Sequence, residues 1–115
     1  IYLRGLPQIQ IWSPESKKSQ RYGSAKGSGG IWNNPKRGKW PLVKADNPVG
    51  QWNHFFIRMV GDRISIWLND KLTVNDAPLK NLWQKGKAIP AAEQIELQCH
   101  GDPVLFKNIF IKELP

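Results

Sequence analysis

Cysteine is nearly absent from this chain, which has one, Cys99, among 115 residues. A single thiol excludes an internal disulfide and a cysteine-built zinc site, although it says little about compartment. No stretch reaches the roughly 18 consecutive apolar residues of a membrane-spanning helix, and no basic-then-apolar leader can be read. Internal repeats are missing, and so is sustained helical periodicity. No spacing of His, Asp and Glu amounts to a metal motif. What remains is a chain of single-domain size, 40% hydrophobic with six tryptophans, able to bury a core.

Charge is present but uneven. Residues 1–47 carry nine Lys/Arg against two acids, Glu15 and Asp46, whereas residues 48–115 carry eight against seven. The excess lies between Ser13 and Asp46, where Lys17, Lys18, Arg21, Lys26, Lys36, Arg37, Lys39 and Lys44 interleave with Gly and Ser. A basic loop with tryptophans suits nucleic acid through phosphate contacts and stacking. It suits equally a solvated loop beside a sugar site. With no recognised nucleic-acid motif beside the charge, nucleic acid is not the expected partner.

The pattern elsewhere reads as strand. Residues 52–60 are rich in aromatic and apolar residues, Gly61-Asp62 supplies a two-residue turn, and Ile64, Ile66 and Leu68 then alternate with Ser65 and Trp67. Asn69-Asp70 makes a second turn into residues 71–74, so the three runs predict a meander. Residues 8–12 form another alternating strand, with Gln8, Gln10 and Trp12 outward. Between Val74 and Glu93, Pro78, Gly86 and Pro90 break the pattern, and Leu79, Leu82 and Trp83 are spaced for one helical turn. Many short strands and long Gly/Pro loops predict an all-β antiparallel sandwich or barrel. Ile9, Ile11, Ile64, Ile66, Leu97 and Ile109 are its expected core.

Residues 94–100 matter most for function. Ile95, Leu97 and Cys99 alternate with Glu96, Gln98 and His100, which places a carboxylate, an amide and an imidazole in a row on one face. Any half-buried antiparallel strand alternates in this way, so a merely solvated face is the competing reading.

Several segments together carry a resemblance. Ile1-Tyr2-Leu3-Arg4-Gly5 with Gln8-Ile9-Gln10-Ile11-Trp12, then Gly27-Ser28-Gly29-Gly30-Ile31-Trp32-Asn33-Asn34, Pro41-Leu42-Val43-Lys44-Ala45-Asp46, Gly50-Gln51-Trp52-Asn53 and Trp67-Leu68-Asn69 stand in order along the chain. Ile95-Glu96-Leu97-Gln98-Cys99-His100-Gly101 and Phe106-Lys107-Asn108-Ile109 complete the series. The chain thereby resembles the 3-keto-disaccharide hydrolase family over its whole length. The resemblance implies a concanavalin A-like jelly roll of two antiparallel sheets, often exported, so a periplasmic or extracellular location is expected. Family members begin with further strands, so residues 1–115 are expected to form one N-terminally incomplete domain. Another segment or a partner chain would supply the missing strands.

The resemblance also implies a chemistry. A ketone at carbon 3 of a sugar acidifies the proton on carbon 2; a base removes it, the glycosidic oxygen leaves, and water adds back. This requires a base, donors for the enolate oxygen and a proton for the leaving group, not the paired carboxylates of ordinary glycosidases. No cofactor is expected, and although Glu96 and Asp102 have the chemistry to bind a metal with His100, none is expected because their spacing is no metal motif. His100 is the expected base or acid, because imidazole exchanges protons near neutrality. Arg4 is the expected donor to the ketone or enolate oxygen. Gln8, Gln10, Glu96 and Gln98 are expected to grip hydroxyls, joined by Trp12, Trp32, Asn33 and Asn34. Gln8 and Ser13 stand where many members carry Glu and Asp, which removes two candidate acids. His54 reads as structural. The alternative function is a non-catalytic, lectin-like sugar-binding module, since the architecture serves both.

Overall fold

A computed structural model describes all of residues 1–115. Its regular core is an antiparallel sheet of three strands in the order β1-β2-β3, with β1 at Phe55–Val60, β2 at Arg63–Leu68 and β3 at Lys71–Pro78. The expected meander is therefore present, and β3 runs four residues beyond the expected end. Both turns work as their residues require. Val60 pairs with Arg63 across Gly61-Asp62, and Leu68 pairs with Lys71 across Asn69-Asp70. Asn69 and Asp70 both sit at positive φ, 50° and 64°, the primed-turn geometry whose twist matches that of the flanking strands.

Alternation then sets the faces. Ile64, Ile66 and Leu68 of β2 are buried, while Phe55, Ile57 and Met59 of β1 point the same way and Phe56, Arg58 and Val60 face solvent. Ile64 and Ile66 join Ile9, Ile31, Val74, Ala77 and Leu79 in one buried cluster. Burying a side chain of this size contributes about 1.5–3 kcal/mol. Ile9 and Ile31 thus bring the Gln-rich and Gly-rich segments onto the inner face of the sheet.

A second layer is built from extended segments joined by isolated bridges. Tyr2 bridges Gln8 on one side and Glu96 on the other, and Ile9 bridges Ile31. Backbone hydrogen bonds bind the edges: Tyr2 N–H donates to Glu96 O at 2.9 Å, Gln10 N–H to Gly30 O at 2.9 Å, and Trp32 N–H to Gln8 O at 2.9 Å. The domain is mostly strand and extended chain, with helix limited to α1 at Lys17–Gln20 and a 3-10 turn at Ser24–Lys26. One sheet is regular and the facing layer is bridges alone, so the two-sheet jelly roll goes beyond the elements present.

Several expectations need correction. Leu97 and Ile109 are exposed, at 45% and 58%, and Ile11 is exposed at 36%; only Ile9, Ile64 and Ile66 of the expected six are core. The alternation after Pro90 is real, yet Tyr2–Glu96 is the one bridge made there, and no layer packs on the apolar side. The helical turn expected at Leu79, Leu82 and Trp83 does not form. Leu79 is buried under the sheet through its N–H to Asp62 O at 2.7 Å, whereas Leu82 and Trp83 are exposed. No helix is long and apolar enough to cross a membrane.

Candidate functional site

Pairing of the extended segments brings three glutamines together. Tyr2 lies between Gln8 and Glu96, so the outward side chains of the 8–10 and 96–98 segments meet across it. Gln8 Nε2 donates to Gln98 Oε1 at 2.9 Å and lies 3.4 Å from Gln10 Oε1. Residues 90 positions apart in the chain thus share one row of amides. His100, two positions beyond Gln98, is exposed and makes no hydrogen bond within the protein. Its neighbour Gly101 has φ 88°, in the left-handed region that glycine tolerates, so the chain turns directly after the imidazole. Glu96 is exposed, and its Oε1 accepts from Gln94 Nε2 at 2.9 Å.

Beside the amide row lies a cluster of tryptophans. Trp12 and Trp32 meet edge to face with centroids 5.3 Å apart, Trp32 and Trp40 do so at 5.9 Å, and Trp12 lies nearly parallel to Trp40 at 6.5 Å. Trp12 Nε1 donates to Gly27 O at 2.8 Å, which locks the indole to the Gly-rich loop. That loop is itself tied to the sheet, because Thr73 Oγ1, fully buried, donates to Gly29 O at 3.0 Å.

Other expected residues lie elsewhere or are otherwise engaged. Arg4, in a turn at φ 45°, directs its guanidinium to Pro90 O at 3.2 Å, to Met59 Sδ at 3.4 Å and to Gly61 O. It binds the first turn to the β1–β2 turn, a different use from stabilising an enolate. Asn33 Oδ1 accepts from Gln8 N–H at 2.9 Å and its amide donates to Leu6 O. Asn34 is buried and donates to Arg37 O and Pro78 O, both at 3.0 Å. Both carboxamides hold backbone rather than face solvent, and Asn33 positions Gln8 from behind. His54 is exposed and its N–H is held by Asn69 Oδ1 at 2.9 Å beside the second turn, in keeping with a structural reading.

The sequence model of the 3-keto-alpha-glucoside-1,2-lyase-like domain matches residues 1–112. The chain belongs to that family. No curated protein and no solved structure matches it. Membership accounts for the order of the segments that meet here, from the 1–12 pair to the 95–101 strand-like run.

Two features escaped the reading of the sequence. Trp40 completes the aromatic cluster, with Lys26 Nζ 4.0 Å from its ring centroid and Lys39 Nζ 5.5 Å. The Lys39-Trp40 dipeptide was a weak signal for it. Asp46 lies at a small cavity of about 80 Å³ with Trp12, Asn47 and Asn53, and both its carboxylate oxygens are 2.8 Å from Ser28 N. Burial raises its pKa above the ordinary carboxylate value, against the Ser28 hydrogen bonds and the Lys44 charge that lower it.

Proposed function

We propose that this domain cleaves 3-keto-glycosides, with the Gln8–Gln10–Gln98 row gripping sugar hydroxyls and His100 transferring the proton. Family membership supports the carbohydrate chemistry. The observation that carries the site is the 2.9 Å contact between Gln8 and Gln98, which assembles a polar surface from both ends of the chain, two residues along the chain from the exposed His100 imidazole. In the reaction the carbon-2 hydrogen leaves as a proton to the base, and its electron pair forms the carbon 2–carbon 3 double bond of an enolate whose oxygen carries the charge. The enolate then collapses to the ketone, forming the carbon 1–carbon 2 double bond as the glycosidic carbon 1–oxygen bond breaks; the leaving oxygen takes a proton, and water adds across that double bond, giving net hydrolysis. The amides orient the ring so that this proton meets His100, an effect of position rather than of charge.

A lectin-like role on the same surface is the second reading, favoured by the absence of a carboxylate facing His100 by hydrogen bond. Turnover separates them. His100→Ala should lower the rate of 3-keto-glycoside cleavage by about 10²–10⁴-fold if the imidazole moves a proton in the slow step. Cleavage at the parent rate by a folded variant would exclude His100. Binding of the unoxidised glycoside without turnover of the ketone would establish the lectin reading.

A further inference from the structure

The tryptophan cluster is bordered by charge that the chain itself does not neutralise. The acids of residues 1–47 are both occupied: Glu15 lies 3.8 Å from Lys44, and Asp46 accepts from Ser28 N–H. The seven cations from Lys17 to Lys39 have no carboxylate within 4.0 Å. Three of them gather at Trp40. Lys26 sits over one face of its ring, Lys39 reaches both Trp40 and Trp32, and Arg37 lines an open cleft of about 230 Å³ together with Trp40, Leu42 and Asn75. Arg37 Nη2 donates to Asn75 O at 3.3 Å, which places the guanidinium at the cleft wall. The acid that acts on Arg37 is Asp76, and Arg63 already holds it at 2.9 Å.

Like charges gathered around one indole repel each other, and the ring faces offset only part of that repulsion. An anion in the cleft would neutralise them, and a planar guanidinium matches a carboxylate or sulfate group in two-point contact. We propose that this cleft binds an acidic saccharide unit, bearing a carboxylate or a sulfate, with Arg37 as the counter-charge in its lining, Lys39 and Lys26 on the neighbouring tryptophan rings adding positive field at its border, and Trp40 and Leu42 as its apolar wall. The choice of a sugar rests on the carbohydrate reading of the domain and on the geometry of Trp40. Non-specific nucleic-acid surfaces offer open aromatic faces for stacking bases. Here Lys26 covers one face of Trp40, and Trp32 and Trp12 flank the ring with centroids 5.9 and 6.5 Å away, so recognition falls to charge and hydroxyl contacts.

The test is calorimetric titration of the full chain with polygalacturonate, a sulfated glycan, neutral dextran and a single-stranded oligonucleotide, at low and high salt. An acidic glycan should bind while dextran does not, and its affinity should fall as salt rises. Binding of polygalacturonate alone or of the sulfated glycan alone supports the proposal and names the group. Arg37→Gln and Lys39→Gln should each weaken that binding by about fivefold, while the paired control Lys85→Gln and Lys87→Gln leaves it unchanged. Equal binding of dextran, tighter binding of the oligonucleotide than of either glycan, or cleft variants no weaker than the control would overturn it. Cleavage of a neutral 3-keto-glycoside is followed in parallel. Cleavage without glycan binding removes this inference alone, whereas glycan binding without cleavage removes the hydrolase reading and leaves the cleft standing.

Discussion

Replacing Gly30 with Ala tests how the Gly-rich loop sets the aromatic cluster. Gly30 is buried, its φ lies outside the left-handed region, and its carbonyl accepts from Gln10 N–H at 2.9 Å. A Cβ there would stand 2.2 Å from Lys39 O, 3.0 Å from Lys39 C and 3.2 Å from Pro41 Cδ. Ordinary contacts between heavy atoms lie at about 3.5 Å, so the Lys39 backbone must retreat by roughly 1 Å. Such overpacking costs about 1–3 kcal/mol, offset by about 0.4–1 kcal/mol from the stiffer unfolded chain. The net loss should be about 1–2 kcal/mol. Gly50→Ala is the comparison, because its φ is 94° and nothing lies within 4 Å of the added carbon. It carries only left-handed strain of about 1–2 kcal/mol, with the same offset, so its loss should be smaller. Urea unfolding measures both. Because Lys39 and Pro41 flank Trp40, Gly30→Ala should also change the near-ultraviolet circular dichroism of the coupled tryptophans, and Gly50→Ala should not. A Gly30→Ala protein with the parent's midpoint and spectrum would refute the packing argument.

Two further outcomes follow from the amide row and from Asp46. Gln98→Ala should raise KM for a 3-keto-glycoside by more than it lowers kcat, since it removes a hydroxyl grip and not the proton carrier; a fall in kcat alone would contradict that role. Burial raises the Asp46 pKa above its ordinary 3.8, so the folded chain holds this proton more firmly than the unfolded chain, and ionisation weakens the fold as pH rises through that window. Asn at this position keeps an acceptor for Ser28 without ionising. The stability of Asp46→Asn relative to the parent should therefore improve as pH rises from below 3.8 and level off once the carboxyl is fully charged. A stability difference that stays constant across that range in paired thermal melts would show that burial of Asp46 carries no such penalty.

The meander was legible because its information is local. Turn residues that accept positive φ at Gly61 and at Asn69-Asp70, set between runs of period two, specify pairing, register and inward face within 24 residues. Family membership was legible for a different reason, since it rests on the order of short motifs rather than on any contact. What local pattern could not supply was whether an alternating segment finds a layer to pack against. Ile9 and Leu97 belong to equally regular alternations, yet Ile9 lies on the sheet and is fully buried while Leu97 stays exposed. The same limit applies to the site. Composition showed glutamines, asparagines and an arginine of suitable chemistry, but a polar group's use depends on which carbonyls and amides the fold brings within reach. Tertiary structure turned Asn33, Asn34 and Arg4 toward backbone, joined Gln8 to Gln98, and gathered unpaired lysines around Trp40. Sequence by itself thus determined the sheet and the family, because turns and alternation act between neighbours; which polar side chains remain free was decided only when distant segments met.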